Sequence, residues 1–154
     1  MITIVLFEPQ IPPNTGCIAR LCGANNVKLD VVGEIGFELT DKRLKRAGLD
    51  YWNYIDWEYH PDIDAYYSML VKNKSFHLLT TKSDFSYINT KFHNNDYIVF
   101  GSETKGISEK YLKKSWGNTC TIPMQNKNIR SLNLATSVGI VLYEAIRQVN
   151  IKNE

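Results

Sequence analysis

The chain has 154 residues, a formal net charge of +2 and 44% hydrophobic residues. No stretch approaches the roughly 20 apolar residues that a membrane span needs, and the net charge is too small to indicate nucleic-acid binding by itself. The N-terminus enters a strand pattern at once, without a targeting segment. The odd number of cysteines argues against a disulfide framework, and their spacing fits no metal site. We therefore expect one cytoplasmic domain spanning residues 1–154, without an accessory domain, with buried thiols at Cys17, Cys22 and Cys120.

Strand and helix patterns alternate along the chain, which is the signature of an α/β fold. Several strands are β-branched or aromatic throughout, as is typical of parallel strands buried on both faces. The predicted fold is a mostly parallel sheet flanked by helices. The strands are predicted at Thr3–Phe7, Leu29–Val32, Ile55–Tyr59, Phe76–Thr80, Tyr97–Phe100 and Thr119–Ile122, and the helices at Thr15–Asn25, Asp41–Ala47, Asp62–Val71, Ser108–Lys114 and Leu132–Val149.

The first helix carries an arginine without an evident partner. Arg20 lies off the apolar stripe of this helix, and its neighbours three and four residues away are small. Those neighbours are Gly16, Cys17, Gly23 and Ala24. The pattern predicts that the Arg20 guanidinium lies over a patch of small residues with no partner for it.

Three polar loops follow predicted strands, and the carboxyl ends of parallel strands are where α/β sheets bind ligands. The loops contain Asn14, the segment 100–108 (FGSETKGIS) and the segment 122–135 (IPMQNKNIRSLNLA). None of them matches a Walker A loop or the G-x-G-x-x-G fingerprint, so phosphate-gripping loops are a poor explanation.

Two glycines flank Ser102–Thr104 and predict a tight turn that closely approaches a ligand. Glu103 within it is either a solvated carboxylate or a partner of a ligand or an arginine. In the third loop, Ser131 or Asn133 is expected to cap the last helix, whose N-terminus favours an anionic group.

The segment 82–95 is long and polar for a compact domain, which fits either a functional loop or disorder. The histidines His60, His77 and His93 are scattered and are interpreted as satisfied or surface residues. No hydrolase or metalloenzyme arrangement follows from them, and no metal is expected.

Four basic residues crowd the second predicted helix: Lys42, Arg43, Lys45 and Arg46. Such a run is usually a solvated face. Here aromatic residues follow at Tyr51, Trp52, Tyr54 and Trp57, and this mixture is suited to gripping phosphates and stacking RNA bases. Together with the polar loops, it predicts contact with RNA.

The last helix has a broad apolar face formed by Ala135, Val138, Leu142, Ala145 and Val149, widened by Leu134, Val141 and Ile146. A face this broad is able to cover more than one surface, which indicates a subunit interface along the helix.

The three loops together resemble the motifs of the SPOUT RNA ribose methyltransferases. Asn14 through Arg20 is similar to the N-x5-R first motif, GSETKG to the second, and IPM with SLNLATSVGIVLYEA to the third. The similarity extends over nearly the whole chain and is greatest to the minimal tRNA (cytidine/uridine-34-2′-O)-methyltransferases. The resemblance implies a C-terminal deep trefoil knot, S-adenosylmethionine as methyl donor, a tRNA substrate and a homodimer.

The resemblance also implies roles for individual residues. The implied catalytic set is Arg20, Asn14, Glu103, Ser131 and Asn133, in which Arg20 holds a phosphate and stabilises the developing alkoxide. Arg130 joins the basic cluster as an RNA contact. The implied cofactor-binding residues are Leu79, Thr80, Thr81, Gly101, Glu103, Gly106, Ile122, Pro123, Met124, Ser131 and Leu132.

Three alternatives stay open from the sequence. One is a knotted module that binds RNA or cofactor without turnover. Another is the same chemistry on a different tRNA position or on ribosomal RNA. The third, a doubly wound nucleotide enzyme, lacks the required phosphate loops.

Overall fold

Six parallel strands form one sheet in the computed structural model, which describes residues 1–39, 42, 46 and 49–151, with only the backbone of residues 49, 50 and 151. The sheet order is β3-β2-β1-β5-β4-β6, and every pairing is parallel. The strands are β1 (Thr3–Phe7), β2 (Lys28–Val32), β3 (Trp57–His60), β4 (Phe76–Leu79), β5 (Tyr97–Phe100) and β6 (Thr119–Cys120).

Four α-helices in the described part of the chain cover the two faces of this sheet. They are α1 (Pro12–Ala24), α2 (Ile63–Asn73), α3 (Glu109–Lys114) and α4 (Leu134–Ile151). Short 3-10 helices lie at Leu49–Tyr54, Tyr87–Asn89 and Trp116–Asn118.

Alternate residues of β1 feed two separate cores, because successive side chains of a strand point to opposite faces. Ile4 and Leu6 pack in a core with residues of α1 and α4. Val5 and Phe7 pack in a second core with residues of α2 and α3. The expected α/β class with a flanked parallel sheet is therefore confirmed, while the trefoil knot stays a prediction.

The predicted element bounds hold closely, with differences that have local causes. Helix α1 begins at Pro12 rather than Thr15, because proline is well suited to the first turn of a helix. Strand β6 ends at Cys120, two residues early, because Thr121 turns to another segment. The Thr121 N–H donates to the carbonyl oxygen of Phe85 at 2.8 Å. The predicted helix Asp41–Ala47 lies outside the described residues except for Lys42 and Arg46.

The segment 82–95 is an ordered part of the fold. Thr90 and Phe92 are buried, and the Gln148 side chain of α4 bonds to both of their backbones, at 3.0 Å and 2.9 Å. Of the two interpretations of this loop, disorder is therefore wrong.

Most of the apolar face of α4 is buried inside the chain itself. Leu134, Val138, Leu142 and Val149 all belong to the first core. The breadth of the stripe is thus explained largely by packing within one subunit. No helix in the described residues has the length and apolar character to cross a membrane.

Candidate active site

The polar loops meet at one edge of the sheet because they follow adjacent strands. Strands β1, β5, β4 and β6 are consecutive neighbours, and all run in the same direction. Their carboxyl ends therefore bring together the three loops singled out in the sequence. The hydrogen bonds between these loops show how they are joined.

Glu103 fastens the second loop to the first. Its Oε2 accepts a hydrogen bond from the backbone N–H of Gln10 at 2.8 Å, and its Oε1 accepts one from the N–H of Ile11 at 3.0 Å. The side-chain amide of Asn14 donates to the same Oε1 at 3.3 Å. The carboxylate is therefore neither free in solvent nor paired with an arginine among the described residues, which corrects those two interpretations. Its predicted role toward a ligand stays a prediction.

Asn14 extends the connection to the third loop. Its Oδ1 accepts a hydrogen bond from the side-chain amide of Asn133 at 3.0 Å. The Oδ1 of Asn133 in turn accepts from the backbone N–H of Thr136 at 3.2 Å, so Asn133 caps α4 and Ser131 does not. We call these three hydrogen-bonded side chains, Glu103–Asn14–Asn133, the motif junction. It joins all three predicted motifs through side chains.

The turn at 101–106 is as tight as its glycines predict. The N–H of Gly106 donates to the carbonyl of Ser102 at 3.0 Å, and Gly106 has a φ of 65°, a value that favours glycine. A Cβ at Gly101 would lie 2.1 Å from the carbonyl carbon of Gly106, so no larger residue fits there. Ser102 adds an ordering contact of its own, because its Oγ accepts from the N–H of Lys105 at 3.2 Å.

Two adjoining cavities lie against these loops, with volumes of about 340 Å³ and about 80 Å³. Leu79, Thr80, Thr81, Ser131 and Leu132 line both. Gly101, Glu103 and Gly106 line the larger cavity, and Ile122 and Met124 line the smaller. Every predicted cofactor residue except Pro123 therefore faces a cavity.

The cavities also include residues that the sequence did not single out. Phe100 and Ser137 line the smaller one, and Lys82 and Lys105 line the larger. Phe100 and Lys105 lie within the predicted loop 100–108, Lys82 follows the predicted cofactor residue Thr81, and Ser137 lies on α4. Their positions in or beside these segments were the available signal. Arg130, predicted to contact RNA, lines the larger cavity.

Gln10 is a further residue that the sequence analysis missed. Its side-chain amide donates to the carbonyl oxygens of Glu8 at 2.7 Å and Glu34 at 3.2 Å. Gly36 leaves the space for it, because a Cβ there would lie 2.2 Å from the Gln10 side-chain oxygen. The signal in the sequence that could have pointed to Gln10 is its position just before the Ile-Pro-Pro run.

Arg20 is exposed on α1 and lines neither cavity. Its guanidinium carbon lies 5.5 Å from the ring centroid of Tyr51. The expectation of an arginine without a local partner is therefore wrong. The patch of small residues is also occupied in part, since a Cβ at Gly23 would lie 3.0 Å from the side chain of Ile55.

Of the predicted basic cluster, Lys42 and Arg46 are described and exposed. Arg43 and Lys45 lie outside the described residues. The exposure of the two described side chains leaves both able to meet an anionic partner.

All three histidines lie within 3.8 Å of a carboxylate: His60 near Asp30, and His77 and His93 near Asp96. His77 Nε2 lies 3.0 Å from Oδ2 of the buried Asp96. Burial opposes ionisation of Asp96, but hydrogen bonds from His77, from Ser75 and from the backbone of His93 lower its pKa overall. The interpretation of His77 as a satisfied histidine is confirmed.

His60 lies in a cluster with Asp30 and Glu58, whose potential metal-ligating atoms are all within 4.8 Å of one another. The ammonium of Lys28 already bonds to Glu58 at 2.9 Å and lies 3.3 Å from Asp30. A charged side chain thus meets the need for a cation at this cluster, and the absence of a metal stays a prediction.

The three cysteines are free, and two of them are buried as expected. Burial raises the pKa of Cys22 to about 12 and that of Cys120 to about 11. Cys17 is exposed, which corrects the expectation of three buried thiols.

Comparison with known proteins identifies the family of this chain. The SpoU rRNA Methylase family matches residues 1–143. The chain belongs to this family. It is 42% identical over 149 residues to the tRNA (cytidine(34)-2′-O)-methyltransferase of Methylovorus glucosotrophus, covering 96% of each protein. It is 41% identical over 156 residues to the enzyme of the same name from Saccharophagus degradans, covering 97% of this chain and 96% of the relative.

A solved structure supports the same placement. It is described as giving insight into 2-OH methylation of C/U34 on tRNA. The two structures superpose with a TM-score of 0.90 and share 37% sequence identity. The alignment covers 96% of this chain and 95% of the chain in the solved structure. The family predicted from the three motifs is therefore confirmed.

Proposed function

We propose that this SpoU-family chain transfers a methyl group to the ribose 2′-hydroxyl of nucleotide 34, cytidine or uridine, of tRNA. The observation that carries the proposal is the motif junction, which joins the three family motifs beside the two cavities. Full-length similarity to relatives named for this reaction supports the same substrate. A tRNA substrate also implies that the protein works in the cytoplasm.

The larger cavity suits S-adenosylmethionine as the methyl donor. A volume of about 340 Å³ lies within the range of small-molecule sites, and the lining combines leucines with backbone and hydroxyl groups. Gly101 and Gly106 bring the backbone close, where a Cβ at Gly101 would collide with the turn. We infer that Leu79, Thr80, Thr81, Ile122, Met124 and Leu132 hold the adenosine, with Pro123 beside them. When bound, the cofactor supplies an electrophilic methyl group on a sulfonium.

The reaction would form a bond between the ribose oxygen and the methyl carbon as the bond from that carbon to the donor sulfur breaks, leaving a neutral thioether, while the oxygen loses its proton. Arginine side chains are poor proton acceptors near neutrality, so we assign Arg20 to a different role. Its guanidinium donates hydrogen bonds to an RNA phosphate and to the oxygen on which negative charge develops. The proton leaves to the RNA phosphate or to water.

The motif junction orients the site rather than reacting. Glu103 fixes the loop that leads into α1, and the hydrogen bond between Asn14 and Asn133 joins the first turn of α1 to the start of α4. The hydroxyl of Ser131 lies at the cavity and is placed to contact the substrate or cofactor. We expect Lys42, Arg43, Lys45, Arg46 and Arg130 to bind tRNA phosphates.

We propose that the protein acts as a homodimer through the outer side of α4. Tyr143 on this helix is 54% exposed, and Gly139 and Ile140 are only partly buried. Exposed Ile11 and Leu132 lie in the loops that precede α1 and α4, and a second copy is able to cover all of them. Light scattering tests the dimer, and a monomeric mass at working concentration would refute it.

The direct test uses purified protein, labelled S-adenosylmethionine and tRNA from a strain that lacks this gene. After digestion, we expect the label in 2′-O-methylcytidine or 2′-O-methyluridine derived from position 34. Label at another tRNA position, or only in ribosomal RNA, would overturn the assigned substrate. Cofactor binding without any label would indicate a binding module, and no cofactor binding would overturn the proposed donor.

A further inference from the structure

The contact between Arg20 and Tyr51 has a chemical property that a salt bridge would lack. The guanidinium carbon lies over the tyrosine ring, 5.5 Å from its centroid, within the range of a cation–π interaction. Among the described residues, Arg20 makes no hydrogen bond or ion pair. The N–H donors of this arginine are therefore unused by the part of the protein that the structure describes.

The fold holds Tyr51 in place through the residues around it. The 3-10 helix Leu49–Tyr54 lies against α1, where Gly23 allows Ile55 to approach closely. Trp52 packs edge-on against Trp57 of β3, with their ring centroids 5.3 Å apart. Tyr51 itself remains 45% exposed. An anchored segment thus presents one aromatic ring to the guanidinium.

The type of partner matters for an arginine that has to bind an anion. A carboxylate would take two N–H donors in a bidentate pair and would cancel the positive charge. An aromatic ring attracts the cation without accepting hydrogen bonds from its donors and without adding a negative charge. The ring therefore restricts the side chain while its charge and donors stay available.

We propose that Tyr51 is the positioning residue of Arg20: it holds the guanidinium by cation–π contact so that its N–H donors face the RNA. This proposal rests on the proposed function, which gives Arg20 an anionic target. The effect falls on the chemical step, because loss of the ring lets a flexible side chain leave its reactive position.

The contact is tested first in the free protein by NMR of the Arg20 side-chain Nε–H, assigned with Arg20→Lys. We expect a ring-current shift that persists in Tyr51→Phe and disappears in Tyr51→Leu. A resonance that does not change in Tyr51→Leu would overturn the proposal. This measurement needs no RNA, so its outcome is independent of the proposed reaction.

The role is tested by single-turnover methylation of tRNA. Tyr51→Leu is expected to lower the rate constant at saturating tRNA by about threefold to tenfold, whereas Tyr51→Phe retains most of it. In an Arg20→Ala background, Tyr51→Leu is expected to change the rate by less than about twofold, since its effect passes through Arg20. Trp116→Leu is the matched control, because Trp116 is 49% exposed, lies in another 3-10 helix and precedes β6 at the opposite sheet edge.

Three outcomes would overturn the positioning role. Equal losses from Tyr51→Leu in the wild-type and Arg20→Ala backgrounds, seen mainly as weaker tRNA binding, would show that Tyr51 stacks on a base directly. Wild-type turnover in Tyr51→Leu would show no role. A parallel fall in thermal stability and rate for both Tyr51→Leu and Tyr51→Phe would show a structural role. If the wild-type protein does not methylate tRNA, the proposed function fails, and the NMR shift still decides whether Tyr51 positions Arg20.

Discussion

The motif junction and Arg20 are both built from polar side chains of the family motifs, but the fold treats them in opposite ways. At the junction, the Glu103 carboxylate accepts three hydrogen bonds from the loop before α1 and its first turn. The hydrogen bond between Asn14 and Asn133 extends this connection to the last helix. Arg20, on the same helix as Asn14, rests on an aromatic ring with its donors unused by the described protein groups.

Under the proposed function, this difference separates residues that assemble the site from a residue kept available for the substrate. A side chain whose hydrogen-bonding groups are satisfied within the protein contributes chiefly to the positions of its neighbours. A charged side chain with unused donors gains its partners when an anionic ligand arrives. The two regions should therefore respond differently to substitution.

The largest expected effect is that of Arg20→Ala on the chemical step. Removing a group that stabilises developing charge typically costs about 100- to 1,000-fold in turnover, and we expect a loss of that order. Arg20→Lys keeps the charge but loses the planar fork of donors, so its turnover should be intermediate. Single-turnover methylation measures the rate, and calorimetric titration should show unchanged affinity for S-adenosylmethionine.

Glu103→Ala tests the motif junction, the other region in the comparison. It leaves the N–H groups of Gln10 and Ile11 without their acceptor and frees Asn14, so the first loop loses its attachment to the second. We expect about a 10- to 100-fold loss of turnover together with a lower melting temperature, since misplacement of a site by about 1 Å costs about that much. An unchanged melting temperature would contradict a positioning role for Glu103.

Charge reversal of the basic cluster sharpens the comparison with a third set of residues, proposed to bind tRNA phosphates. Changing Lys42, Arg43, Lys45 and Arg46 to Glu should weaken tRNA binding by about tenfold or more and flatten its salt dependence. Filter binding over a range of salt concentrations measures both. Reversal of Lys113 and Lys114 in the last turn of α3 is the matched control, and equal losses in the two variants would place the tRNA surface elsewhere.

Asp96 provides a carboxylate with a purely structural role. It is buried and accepts hydrogen bonds from Ser75, His77 and the backbone of His93. We expect Asp96→Asn to lower the free energy of unfolding by about 2 kcal/mol at pH 7 while leaving the rate constant unchanged.

The pH dependence of this stability follows from the lowered pKa of Asp96. Because the folded-state pKa lies below that of an unfolded aspartate, about 3.9, the contribution is present above that pH. It is lost as the pH falls through the lower, folded-state value. Denaturant unfolding between pH 3 and pH 7 should therefore show the wild-type and Asp96→Asn curves converging at the acid end, and parallel curves would contradict the assignment.

The smallest expected effect concerns the thiol of Cys17, which is exposed on α1. Cys17 is exposed, whereas burial raises the pKa of Cys22 to about 12 and that of Cys120 to about 11. Iodoacetamide at pH 8 should therefore modify the native protein once, at Cys17, as peptide mass spectrometry will show. Bound tRNA should slow this reaction, and rapid modification of Cys22 or Cys120 would contradict the packing of the core.

The sequence predicted most of the sheet and the cavity lining, because periodicity and the family motifs are local patterns. Strands β1 and β5 have the predicted bounds, and nearly all predicted cofactor residues face a cavity. What it did not predict depends on contacts between distant segments. The partners of Glu103 lie 89 to 93 residues away, and the ring beside Arg20 lies on a 3-10 helix with no helical stripe of its own.

The measurement that tests the comparison most directly is a thermal unfolding curve and a single-turnover methylation rate for Arg20→Ala and Glu103→Ala, taken side by side. We predict that Arg20→Ala keeps the wild-type melting temperature and loses the rate, while Glu103→Ala loses both. An Arg20→Ala protein that methylates tRNA at the wild-type rate, or that unfolds as early as Glu103→Ala, would contradict the view that Arg20 is kept for the substrate.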